Sequence, residues 1–157
     1  MFRKLIIATA LLASTQAYAA PASRFLGDAI KGDNSEVYLG RLIAVRGYSP
    51  AVRRFGNMLV ADHSHARAQA AAVARRMGVY VPTAVKPEAR SEHRKLERMR
   101  GVAFDREARR YMIDDHREDI GKFVAQARTG DRRTASLAAA QLPTLRKHLR
   151  TAEALRR

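Results

Sequence analysis

Glu36, His63, His116 and His148 are the residues of this chain whose types and placement could hold a metal ion. Each falls near the middle of a different helical segment. At about 100° per residue, each also points toward the apolar stripe of its own helix. Glu36 shares a face with Phe25, Ala29, Gly40 and Ile43, and His63 with Leu59, Ala66 and Ala70. His116 lies between Met112, Ile120 and Phe123, and His148 between Leu145, Leu149 and Ala152. Glu36, His63 and His116 sit within about a residue of their helix midpoints, whereas His148 lies on the order of 6 Å beyond its own by the helical rise. Inward ionisable groups are costly unless they pair, hydrogen-bond or bind metal. Three imidazoles and a carboxylate suit one divalent ion, Zn²⁺, Cu²⁺ or Fe²⁺. Asp62 and Asp115 each precede a histidine and could accept a ring N–H from behind a ligand. The alternative is a metal-free polar cluster in which Glu36 pairs with protonated histidines and fixes helix register.

The remaining histidines read differently. His65 is on the opposite side of its helix from His63, and His93 lies among Glu92, Arg94 and Lys95, so both are expected to be solvated. The chain has no cysteine, which excludes thiol chemistry and restricts any metal site to nitrogen and oxygen ligands. No catalytic triad, Gly-rich phosphate loop or nucleophile elbow is present, so the reading leans away from an enzyme.

These residues need helices to position them, and the periodicity supplies four. The first is expected over residues 23–46. Gly47-Tyr48-Ser49-Pro50 breaks it, with Ser49 as a cap and Pro50 in the first turn of the second helix, which runs to about Met77 and ends at Gly78. A connection from Val79 to Gly101 follows, with a short polar helix expected over 88–99. The third helix spans about 104–128 and the fourth about 132–155, where Pro143 should kink it or split off its first turns. Two helical hairpins joined by a long middle crossover are the ferritin-like arrangement. An up-down-up-down bundle with a decorated loop is the alternative. No stretch reads as strand.

Arg3 and Lys4, the apolar run Leu5–Ala13 and Ala17-Tyr18-Ala19 read as a secretory signal over residues 1–19, cut after Ala19, with a single domain over 20–157. That apolar run is too short to span a membrane, and no second one follows. The expected location is the periplasm. Net charge over the 157 residues is +15, and losing Arg3 and Lys4 leaves about +13. Such a surface attracts anionic envelope components, lipid head groups or acidic polysaccharide. No basic stripe is interleaved with aromatics, so specific nucleic-acid binding is not expected.

Several phrases occur in a telling order: Glu36-Val37-Tyr38-Leu39-Gly40, Ser49-Pro50-Ala51-Val52-Arg53, Met58-Leu59-Val60-Ala61-Asp62-His63, Ala103-Phe104-Asp105, Asp115-His116 and Leu142-Pro143-Thr144-Leu145-Arg146-Lys147-His148-Leu149. Together they resemble an exported bacterial family, the domain of unknown function "four-one-four-two", over nearly all of the chain that follows the signal. The resemblance implies a ferritin-like four-helix bundle. Its members are often labelled predicted outer-membrane proteins, and it implies no reaction. One departure from di-iron bundles is informative. Those carry Glu-x-x-His on two helices, whereas Val60 and Ile113 stand three before His63 and His116. No di-iron centre is expected, and one metal at most. Two functions therefore compete: a metal-binding envelope protein concerned with stress or metal handling, and a non-enzymatic envelope interaction protein whose inner histidines are structural.

Overall fold

Two short turns and one long connection divide the chain. The structure, a computed structural model, describes residues 9–155, with side chains from residue 21 onward. Among these it is all-helical, with α1 (Thr9–Arg46), α2 (Pro50–Arg76), α3 (Pro87–Glu97), α4 (Gly101–Thr129) and α5 (Arg132–Ala154), and no strand. The expected secretory segment, residues 1–19, lies outside the described side chains. α1 begins earlier than the expected residue 23 and carries Pro21 inside it.

The turns form as their residues dictate. Ser49 caps α2 by accepting from the Val52 amide at 3.2 Å, and Pro50 opens the first turn, where its missing N–H costs nothing. Gly78 ends α2 at φ +67, a conformation that a side chain would oppose. Asp131 caps α5 through the Arg133 and Thr134 amides. α5 is not split at Pro143. Both Pro143 and Ala139, whose carbonyl loses its helical partner, face solvent, so water can take that bond.

Side-chain pairings give the helix directions. Asp33 meets His63 and Gly40 meets Gly56, so α1 and α2 are antiparallel. Asp62 meets His148 and Ala66 meets Gln141, so α2 and α5 are antiparallel too. The same follows for α4 and α5 from His116 with His148 and Gln126 with Thr134. Phe25 packs edge-on against Phe123 at 5.2 Å and Gly32 lies near Asp119, which makes α1 and α4 antiparallel. α2 and α4 therefore run parallel, and the chain between them must climb the length of the molecule. Asn34 holds that climb in place by donating to the Pro82 and Ala84 carbonyls at 3.2 and 3.1 Å, and Ser35 accepts from the Lys86 amide. α3 then covers one end through buried Ala89 and Leu96.

The apolar core is interrupted. Leu39, Ile43, Phe55, Leu59, Phe104 and Met112 fill one end. Leu26, Ile30, Ala70, Val73 and Leu137, with Phe123, Leu142 and Leu145 beside them, fill the other. Along every long helix a buried polar residue falls between these ends: Glu36, His63, His116 and His148.

Candidate metal centre

All four sequence-predicted residues come together, one from each long helix. They are almost fully removed from solvent, with exposures of 2%, 4%, 1% and 0% for Glu36, His63, His116 and His148. The three imidazole rings form a triangle with centroid separations of 5.0, 5.3 and 5.7 Å. One nitrogen from each ring lies within 4.8 Å of one from each of the others. The height offset expected of His148 does not separate it from the cluster.

The outward nitrogens are all committed. His116 Nδ1 donates to the Met112 carbonyl one turn back, at 2.9 Å. His148 Nε2 donates to Asp62 Oδ2 at 2.8 Å, and Lys147 Nζ bonds the same oxygen at 2.7 Å. His63 Nδ1 lies 2.9 Å from Asp33 Oδ1. Burial holds the Asp33 carboxyl well above its usual range, with the Lys86 and Arg67 charges opposing, and the His63–Asp33 hydrogen bond shares one proton between ring and carboxyl. Burial also lowers each of the three imidazoles from 6.5 to about 4, with Asp62 pulling His148 weakly the other way. At neutral pH all three rings are therefore neutral. His116 and His148 keep their protons on the outer nitrogens and turn their inner lone pairs to the centre, and His63 turns its Nε2 there.

The consequence is electrostatic. His116 Nε2 faces His148 Nδ1 at 3.2 Å, lone pair to lone pair. His63 Nε2 and Glu36 Oε2, 3.9 Å apart, are both buried without a hydrogen-bond partner. Unpaired buried acceptors are expensive. A cation among the three rings would satisfy their three inner nitrogens. Two nitrogens held 2.0–2.1 Å from a tetrahedral ion stand about 3.3 Å apart, close to the separation here.

Glu36 forms a second, carboxylate side of the cluster with Asp115 and His116. Burial first, then the Asp115 and Asp119 charges, hold the Glu36 carboxyl well above its usual range, and it shares a hydrogen bond with Asp115. Asp62 thus accepts a ring N–H across helices, as its position suggested, while Asp115 turns to Glu36 instead of a ring. Sequence reasoning missed Asp33. Its signal was available: Asp33 precedes Glu36 by three and so lies on the same helical face. His65 is exposed and touches Gln69, as expected. His93 departs from expectation. Its ring stacks on Tyr38 at 4.1 Å and its side chain is only 15% exposed, because α3 packs down onto α1.

Comparison with known proteins bears on fold and family. A solved structure, the crystal structure of a DUF305 fragment from Deinococcus radiodurans, matches with a TM-score of 0.74 at 19% identity. The match covers 84% of this chain and 92% of that one, and at this identity it speaks to the fold alone. No curated protein matches. The family model described as Domain of unknown function (DUF4142) matches residues 8–155, and the chain belongs to that family.

Proposed function

We propose that this chain is an exported, ferritin-like four-helix bundle that binds one divalent metal ion, Zn²⁺, Cu²⁺ or Fe²⁺, through His63, His116 and His148, with Glu36 alongside. The parallel run of α2 and α4, joined by a climbing connection, supports the ferritin-like topology. One observation carries the metal reading: three buried imidazoles have their outer nitrogens hydrogen-bonded and their inner nitrogens converging, two of them lone pair to lone pair at 3.2 Å. That arrangement costs free energy without a cation and is the geometry of an anchored three-histidine site with one. Carboxylates at the positions three before His63 and His116 would be needed for a di-iron centre; Val60 and Ile113 stand there. The role that fits is metal binding or handling in the envelope rather than turnover.

The test is thermal. Zn²⁺, Co²⁺ or Cu²⁺ should raise the melting temperature by mass action. His63→Ala, His116→Ala and His148→Ala should each abolish the rise, and His93→Ala should leave it intact. A wild type whose melting no divalent ion shifts, or a His93→Ala variant that loses the shift equally, returns the cluster to a structural role.

A second reading, contact with anionic envelope surfaces, is favoured by a separate feature. Val45, Tyr48 and Val102 are exposed large apolar residues at the end of the molecule where α1 closes and α4 opens. Exposed arginines lie on the same segments.

A further inference from the structure

The chain carries 30 Lys and Arg against 15 Asp and Glu, so a concave surface without a cation is unexpected on it. One cavity, of about 270 Å³, is lined by Asp33, Asp62 and Asp119 with His65 at its edge, and by no lysine or arginine. Phe123 and Ala140 belong to its apolar wall. Lys147 pairs with Asp62, and Lys86 and Lys122 pair with Asp119, but all three from outside the lining. Asp33 Oδ2 is buried and has no hydrogen-bond partner, while its other oxygen holds His63. The His63 ring itself forms part of the wall. Asp62 reaches from the same wall to His148. Two of the three cavity carboxylates are thus the anchors of two of the three histidines.

A water occupies about 30 Å³ of liquid, so this volume admits an ion together with bound water. The three carboxylates do not gather tightly enough to strip that water, since the compact donor groups of the described residues lie deeper, at the histidines and at Glu36. We infer that this cavity is a second cation site, an entry vestibule that holds a hydrated divalent cation and passes it by the His63 ring to the three-histidine centre. Carboxylates lining a cleft concentrate the opposite charge and raise its rate of arrival. Here they do so on a surface that otherwise repels cations. The inference rests on the metal reading above and adds the route and the outer site.

Rapid mixing with Co²⁺ tests it, because histidine coordination changes the visible spectrum of that ion. Asp119 lines the cavity but anchors none of the histidines, and Asp119→Asn should slow uptake about tenfold with the same final spectrum and stoichiometry. Ala140→Leu narrows the exposed rim without altering charge. It should slow Co²⁺ uptake and its release to a chelator by the same factor, leaving affinity unchanged. Glu118→Gln, a carboxylate on α4 outside the cavity lining, should behave as wild type. Wild-type rates in both cavity variants would place entry elsewhere and overturn the vestibule. Slowing in Asp119→Asn without slowing in Ala140→Leu would overturn it too, because Asp119 also acts on Glu36 directly. Failure of the metal reading looks different: no spectral change in any variant, wild type included.

Discussion

At the scale of single residues, the centre's pH response separates two kinds of site. Exposed histidines titrate near 6.5, and three of them lose ligand capacity together below that value. Burial lowers His63, His116 and His148 to about 4. Between pH 7 and 5.5, proton competition at the three rings should therefore weaken metal binding by less than about threefold, against about 600-fold for three unshifted imidazoles. Glu36 adds at most one proton, because its raised carboxyl must ionise to join the ion. Calorimetry in buffers of different ionisation enthalpy should find between zero and one proton released at pH 6, and a count of two or three would contradict the neutral-imidazole arrangement. The same shifts act on stability. A histidine whose pKa is lower in the folded state binds fewer protons there than when unfolded between about 4 and 6.5. Its contribution is complete above 6.5 and is lost as pH falls toward 4. Asp33 and Glu36, both raised, act in the opposite sense: their contribution is complete below their unfolded values and is lost as pH rises through the folded ones. His63→Ala and His116→Ala should therefore flatten the acid limb of the apo-protein stability curve while leaving its alkaline side in place.

Elements place these residues through close helix contacts, and two glycines show which contacts are tight. A Cβ on Gly56 would come within 2.7 Å of the Gly40 carbonyl and closer still to the Ala44 amide nitrogen, so α1 and α2 can cross there only without a side chain. Gly56→Ala should cost about 2 kcal/mol or more in denaturant unfolding. Gly121 sits exposed within α4 with nothing near its would-be Cβ, and Gly121→Ala should stabilise by about 0.5–1 kcal/mol. Equal effects at the two sites would mean that helix propensity, not approach distance, governs both. Much of this arrangement was legible in the sequence. Period 3.6 gave the long helices, Ser49-Pro50 and Gly78 gave their ends, and four inward polar residues gave the cluster. What was not legible depends on contacts between distant segments. The Asn34 and Ser35 bonds that pin the crossover and the stacking of His93 on Tyr38 are pairings over 48 to 55 residues that no local pattern encodes. Pro143 does not split α5 because its face is wet, which no local rule could show.

On the scale of the whole molecule, charge alone would give only a weak, salt-labile attraction to anionic surfaces, because screening shortens exposed interactions to about 8–10 Å at ordinary salt. The fold adds something charge lacks. Val45, Tyr48 and Val102 are 80%, 64% and 58% exposed at one end, where Asp105 ties the α1–α2 turn to α4 through the Tyr48 and Ser49 amides. Exposed Arg41, Arg54, Arg98, Arg100 and Arg106 lie on the same segments. Apolar side chains on segments that also carry guanidinium groups would suit an anionic bilayer, where arginine would meet phosphate and tyrosine and valine would enter the interface. Binding to vesicles containing anionic lipid should fall steeply with added salt but keep a residual part that charge does not explain. Tyr48→Ser and Val102→Ser should remove that residue and leave the low-salt binding largely intact. Tyr80, equally exposed at 79% but beyond α2 at the opposite end, provides the control, and Tyr80→Ser should change neither part. Equal binding to neutral vesicles, or equal loss on Tyr80→Ser, would show that no particular end of the molecule meets the membrane. The candidate metal centre lies between the apolar ends of the bundle, away from this tip, so the two proposed functions can be tested apart: His116→Ala should leave vesicle binding unchanged, and Tyr48→Ser should leave the metal-induced rise in melting temperature unchanged.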